Sequence, residues 1–163
     1  MTATEHPEVG GIDVSRETFD ALKSYEALIR RWNPAINLVS KSTLPDLWRR
    51  HIVDSAQIFK FCPEPAKTWV DIGSGGGFPG LVVAILAKEH RPDLRVVLVE
   101  SDSRKATFLR QVIQTLGLPC SVHCERIESI PRMDADVLSA RALTALPELL
   151  VHAEKHLGAG GVA

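Results

Sequence analysis

The sequence predicts an α/β protein built on a mostly parallel sheet, with helices in front of it. Three observations carry this expectation. From residue 67 onward, short apolar strands alternate with helical stretches. A glycine loop, Gly73-Ser74-Gly75-Gly76-Gly77, follows the first of those strands directly. The segment Arg95-Val96-Val97-Leu98-Val99-Glu100 is nearly unbroken in its apolar character, the mark of a strand covered on both faces. The 163 residues suit one domain, read as a loose acidic leader (1–14), a helical extension (15–66) and an α/β core (67–163).

In order along the chain, Ser15 is placed to cap a helix in which Phe19, Leu22, Leu28, Ile29 and Trp32 recur at helical spacing. Asn33-Pro34 stops it, because the residue before a proline disfavours helical backbone. A second helix is expected from Thr43, with Pro45 in its first turn, Leu44, Leu47, Trp48, Ile52, Ser55 and Phe59 on one side, and Asp54 placed to pair with Arg50. Pro63 and Pro65 then punctuate the chain. Strand 68–72 leads into the glycine loop and an apolar helix around 81–88. After the strand at 95–99, a helix over about 103–116 carries Phe108, Leu109, Val112, Ile113 and Leu116 on one side and ends at Gly117. Residues 119–124 and 134–140 are two more strand candidates, and a helix runs from near Pro147 to Leu157.

Bulk properties exclude several classes. Net charge is −1, so nothing global advertises nucleic-acid binding, but the charge is uneven. Residues 1–20 carry one base against five acids, whereas 21–60 carry seven bases against three acids. The longest apolar run, 81–87, is far too short to cross a bilayer, so a cytoplasmic protein away from membranes is expected. Three cysteines (Cys62, Cys120, Cys124) make no disulfide framework. Cys120-x-x-His123-Cys124 reads as small buried thiols beside an exposed histidine, not as a metal site. His152 and His156 stand four apart on a helix but lack a third ligand, and read as surface residues.

In an open α/β sheet, ligands bind beyond the carboxyl ends of the strands. The 73–80 loop, Glu100, Arg126-Ile127-Glu128 and Ser139-Ala140-Arg141 all fall at such ends. Glycines there permit a close backbone approach, and the first turn of the next helix offers free N–H groups to an anionic group. Glu100, 20 residues past Gly80, suits the two hydroxyls of a ribose. An adenosine-containing cofactor follows. Gly75-x-Gly77-x-x-Gly80 matches the dinucleotide fingerprint, while the acid-x-Gly-x-Gly-x-Gly frame from Asp71 to Gly77 begins inside the strand, as methyltransferase loops do. An S-adenosylmethionine-dependent methyltransferase is preferred. An NAD-dependent oxidoreductase and a non-catalytic cofactor- or RNA-binding module stay as alternatives.

Several ordered pieces resemble the RsmG (GidB) family. They are Trp32-Asn33-x-x-Ile36-Asn37-Leu38, His51-Ile52-x-Asp54-Ser55, the loop from Asp71 through Phe78-Pro79-Gly80, Glu100-Ser101, Arg104-Lys105-x-x-Phe108-Leu109, Arg126-Ile127-Glu128 and Ser139-x-Arg141-Ala142. The resemblance implies a Rossmann-like class I S-adenosylmethionine-dependent methyltransferase fold and methylation of guanine N7 at position 527 of 16S ribosomal RNA. It places Gly73, Gly75 and Phe78 against the cofactor, Ile127 and Glu128 near its adenine, and Arg141 at the pocket near the substrate entrance. No catalytic base and no metal are assigned, because N7 carries a lone pair and no proton. The partner is the rRNA or the small ribosomal subunit, with Lys41, Arg49, Arg50, Arg104, Lys105 and Arg110 as candidate phosphate contacts and a monomeric protein expected. Trp48 and His51 lie on the apolar side of their helix, so packing outweighs base stacking; His51, Asp54 and Ser55 form a clamp with a candidate substrate role. Only four strands are expected before Gly158-Ala159-Gly160-Gly161, with the later strands of the fold missing. That reading makes the fourth strand a sheet edge and predicts weak stability and impaired methylation.

Overall fold

A computed structural model describes residues 6–141 and 145–163. The first elements are two-residue antiparallel strands, β1 (Glu8–Val9) and β2 (Ile12–Asp13), turned by Gly10 and Gly11 at φ of 60° and 83°. The loose leader is corrected over this stretch. Val9 and Val14 are buried in the main core, and Gly10 lies so close to the helix over Asp54–Phe59 that a Cβ there would meet Ala56 at 2.9 Å.

Helix α1 (Arg16–Trp32) starts where the Ser15 hydroxyl accepts the Thr18 N–H. Its buried side, Thr18, Leu22, Tyr25 and Ile29, follows the 3.6-residue period. Asn33 then turns the chain, its Oδ1 accepting both the Leu38 and Val39 N–H groups at 2.8 and 2.9 Å. The expected second helix is three windings in series: a 3-10 turn (Leu44–Asp46), a π-helical turn (Trp48–Val53) and α2 (Asp54–Phe59). Arg50 pairs with Asp46 at 3.8 Å, while Asp54 faces Arg141 at 3.9 Å, so the expected Arg50–Asp54 pair gives way to a longer-range one. Arg91 closes the approach to the sheet, donating to the carbonyls of Pro63, Glu64 and Ala66.

The sheet comprises β3 (Thr68–Ile72), β4 (Arg95–Val99), β5 (Cys120–His123), β6 (Ala135–Ala140) and β7 (Leu157–Val162). All pairs are parallel, in the order β5-β4-β3-β6-β7. The connections are α3 (Gly80–His90), α4 (Ser103–Leu116), a 3-10 turn (Ile127–Ser129) and α5 (Leu146–His156). The expected four-strand limit is therefore corrected: the glycine-rich tail is itself a fifth strand and covers the edge of β6. Its glycines have a use, since a Cβ on Gly161 would sit 2.7 Å from the Ala135 carbonyl oxygen where the register shifts.

Strand side chains alternate between two cores. Trp69, Val96, Leu98 and Val137 pack toward α1, α2, α3 and α4, whereas Val70, Ile72, Val97, Val99 and Leu138 pack toward the Ile127 turn and Ala153 of α5. Helix α3 is buried on all sides from Gly80 to Ala87, because α1 and α2 cover its outer surface. His156, expected at the surface, is fully buried where α5 meets β7; desolvation lowers its pKa and favours the neutral ring.

Candidate cofactor and substrate site

Strand β3 lies between β4, its successor, and β6, which is reached only after the chain has crossed the sheet. The strand order reverses there, and the crevice opens beyond the carboxyl ends of these three strands. Asp71 is the brace of this end. Its Oδ2 accepts the Gly80 N–H at 3.2 Å and its Oδ1 accepts the Ser139 hydroxyl at 2.8 Å. Ser139 in turn accepts the Trp69 indole N–H at 2.8 Å. One carboxylate thus ties both ends of the glycine loop to β6. Burial pushes its pKa up to about 6, against the opposing pull of the Ser139, Ser74 and Gly80 hydrogen bonds. The first N–H of α3 was expected to meet a ligand, but Asp71 already holds it.

The loop is held from behind as well. Ser74 donates its backbone N–H to the Val99 carbonyl, and Tyr25 donates its hydroxyl to the Gly76 carbonyl. Burial raises the Tyr25 pKa well above its usual value, so the phenol remains a donor. A Cβ on Gly76 would lie 3.0 Å from the Leu38 carbonyl oxygen. The Trp32–Leu38 motif is therefore a support for the loop: Asn33 holds the turn, Trp32 packs on Phe108 at 5.8 Å between centroids, and Leu38 backs Gly76. Ser139 was placed in the sequence at a ligand-binding strand end, but Tyr25 was not picked out as functional. For Tyr25 the signal is a phenol on the buried side of α1, which needs an acceptor.

Glu100 ends β4, almost fully buried, with Oε1 accepting the Gly75 N–H at 2.8 Å and Oε2 accepting the Asp102 N–H at 3.0 Å. Each oxygen keeps a further lone pair for a ligand hydroxyl. Glu100 lines a cavity of about 200 Å³ with Gly73, Ser101, Ile127, Glu128 and His152. Four of the expected cofactor residues thus converge on one cavity, with Gly75 as the backbone prop of Glu100. Ile127 supplies an apolar wall, and exposed Glu128 faces His152 at 3.8 Å.

Phe78 and Arg141 stand apart from that cavity. The Phe78 ring is buried between Tyr25 and His51, with centroids at 5.2 and 5.0 Å. Arg141, just past β6, lines a second opening of about 640 Å³ with Pro79, Ser139 and Ala140. Ala142 of the same motif lies outside the described residues. His51 is half-buried in the π-helical turn, its Nε2 2.9 Å from the Thr43 hydroxyl, and desolvation followed by the Arg141 charge lowers its pKa. Trp48 is a packing residue, edge-on to Phe19 at 5.5 Å and covered by the Lys23 ammonium at 4.0 Å.

Lys41, Arg49, Arg50, Arg104 and Arg110 are exposed and Lys105 is half-buried. Arg49 and Arg50 share Asp46, and such exposed pairs are weak enough to yield to a phosphate. Arg104 and Lys105 occupy the first turn of α4, next to the Glu100 end of the crevice, where their backbone N–H groups are held by Asp102. Burial pushes the Cys120 thiol up to about 12, which leaves it a poor nucleophile. Among the described residues, no group of three His, Cys, Asp or Glu side chains is arranged to hold a metal. No helix among them is long and apolar enough to cross a membrane.

Residues 18–163 match the family model described as GidB, rRNA small subunit methyltransferase G. A ribosomal RNA small subunit methyltransferase G of Ruegeria pomeroyi is 54% identical over 157 residues, covering 96% of this chain and 76% of the relative. One of the same name from Rhodospirillum centenum is 54% identical over 149 residues, covering 91% of this chain and 67% of its own length. Among solved structures, a methyltransferase from Geobacter sulfurreducens superposes with a TM-score of 0.56 at 16% identity, over 85% of this chain and 65% of that one. A TehB-like SAM-dependent methyltransferase from Corynebacterium glutamicum gives 0.55 at 17%, over 86% and 70%. At such identities the structural likeness speaks to the fold, which is Rossmann-like.

Proposed function

Because the chain belongs to the rRNA small subunit methyltransferase G family, we propose that it methylates N7 of a guanine in 16S ribosomal RNA, at position 527. It is a methyltransferase whose cofactor is S-adenosylmethionine. The observation that carries the site assignment is the convergence of Gly73, Glu100, Ile127 and Glu128 on one cavity at the carboxyl ends of the strands.

When bound, S-adenosylmethionine supplies a methyl group already activated by a sulfonium. The work left to the protein is alignment. Glu100, oriented by the Gly75 and Asp102 N–H groups, would hold the ribose hydroxyls with its remaining lone pairs. Ile127 would cover the adenine and Glu128 would border it, with Gly73 allowing close approach of the methionine part. Phe78 packs behind the loop that shapes this pocket, and Arg141 stands on the substrate side. Guanine N7 presents an in-plane lone pair and no proton, so orientation suffices and no general base is assigned. Of the two buried carboxylates at the loop, Asp71 is committed to Gly80 and Ser139, and Glu100 is oriented by Gly75 and Asp102. Lys41, Arg49, Arg50, Arg104, Lys105 and Arg110 would position RNA through its phosphates.

The test is transfer of tritiated methyl from S-adenosylmethionine to small subunits lacking this modification, followed by mapping of 7-methylguanine. A single modified guanine at position 527 is expected. Label at another base or on an exocyclic nitrogen overturns the assignment. Glu100→Ala should weaken S-adenosylmethionine binding by about tenfold or more in calorimetry, as expected when a charge-assisted contact is lost.

A further inference from the structure

Two buried polar atoms without a hydrogen-bond partner belong to the Arg141 end of the crevice: His51 Nδ1 and Arg141 Nη1. Buried polar groups are almost always satisfied, so each such atom calls for a reason. The two residues are neighbours. Asp54 lies 3.9 Å from Arg141, and both Arg141 and Asp54 act electrostatically on His51. His51 sits in a single π-helical turn, a distortion found often at functional sites. Its ring rests on Phe78 of the glycine loop, and Arg141 faces an opening large enough for a base.

The hydrogen bonds define what each atom offers. Thr43 donates its hydroxyl proton to the Ser40 carbonyl at 3.1 Å. With that proton on Ser40, the Thr43 oxygen accepts from His51 Nε2 at 2.9 Å, and we assign the ring the tautomer protonated at Nε2. Nδ1 is left as a bare acceptor, and the lowered pKa keeps it so at neutral pH. Arg141 Nη1 is a donor and nothing else.

We infer that His51 Nδ1 and Arg141 Nη1 form an acceptor–donor pair that reads the base to be methylated, Arg141 donating to O6 and His51 accepting from N1–H. This rests on the guanine-N7 reading of the same site. Around the rim of guanine, N7, O6 and N1–H follow one another, so a base presenting N7 to the methyl donor presents the next two groups to its side. Adenine offers an amino donor and a bare N1 in their place, opposing both partners. The pair thus accepts guanine and rejects adenine with two mismatches. Asp54 is a positioning residue, holding the guanidinium, and Thr43 is another, setting the tautomer.

The test uses small subunits reconstituted with rRNA carrying guanine, inosine or 1-methylguanine at the acceptor position. Inosine keeps O6 and N1–H and should be methylated within about twofold of guanine. 1-Methylguanine lacks the N1 proton and should lose about tenfold or more in kcat/KM, since a site built to bond a substrate N–H is left unpaired. In His51→Ala the guanine rate should fall about tenfold with no further loss for 1-methylguanine, bringing their ratio close to one. Thr43→Val, which leaves the ring in place and frees its tautomer, should narrow the same ratio with S-adenosylmethionine affinity unchanged. If both variants keep the wild-type ratio, His51 does not read N1–H and the inference fails alone. If the wild-type protein labels no guanine, the guanine-N7 reading fails with it.

Discussion

The two faces of the sheet begin from the same material and end with different covers. Along β4, Val96 and Leu98 point one way and Val97 and Val99 the other, and all four are buried. The first face meets four helices, with Leu22, Tyr25, Leu81 and Leu109 fully buried against it. Among the described residues, the second meets only the Ile127 turn and one side of α5, whose Leu146, Leu150 and Val151 are exposed. In the middle of a parallel sheet, neighbouring strands and one layer of helix are enough to exclude water from strand side chains. What differs is how much the layer outside depends on them. The first face is a thick core that also carries the Asp71 brace, whereas the second is a single layer with apolar residues left at its rim.

This contrast can be broken first in the thick core. Leu98→Ala removes a fully buried side chain facing α3 and should cost about 3 kcal/mol of unfolding free energy in urea titration. A loss below about 1 kcal/mol would show that this face is not the tighter one. Next, the faces should respond to pH with opposite signs. The Asp71 pKa is raised, to about 6 from an ordinary 3.8, so the folded state holds that proton more tightly than the unfolded chain. Its contribution is fully present below about pH 4 and is lost as pH rises through 6, by about 2–3 kcal/mol. Asp71→Asn should remove that slope, read as the difference between wild-type and variant stability at pH 4 and pH 6.5. On the second face the His156 pKa is lowered, so its contribution is present above the unfolded histidine value and declines as pH falls through the folded one. His156→Leu should flatten the acid limb; an unchanged limb would mean that the ring is not desolvated.

A smaller effect belongs to the loop support. Tyr25→Phe removes the donor to the Gly76 carbonyl and should cost about 1 kcal/mol. Smallest of all is Leu150→Ser at the rim of the second face, expected within about 0.5 kcal/mol of wild type in the same titration.

Elements with strong period or clear punctuation were legible in the sequence. Helix α4 matches the expected span of 103–116, its Gly117 cap in the left-handed region at φ 60°. The central strands were legible as short apolar runs, and the glycine loop and Glu100 as the ends of two of them. The hairpin at 8–13 was not, because two-residue strands leave no alternation to read. Strand β7 was missed for the opposite reason: Leu-Gly-Ala-Gly-Gly-Val has poor strand propensity, and only the nearby β6 backbone makes glycine the residue that fits. Within the site, the spacing pointed to a carboxylate at the end of β4, but the two N–H groups that orient it come from loop geometry. The roles of His51 and Arg141 depend on which of their nitrogens stay unpartnered, and no residue pattern encodes that.

The approach of Leu38 to Gly76 has a consequence for how this protein can change over time. Two motifs almost forty positions apart share one small volume, so neither can drift without the other. An insertion between Asn33 and Leu38, or any side chain at position 76, should be tolerated only with a compensating change on the opposite partner. Across descendants of this chain, the turn after the first helix and the cofactor loop are expected to be inherited as a unit.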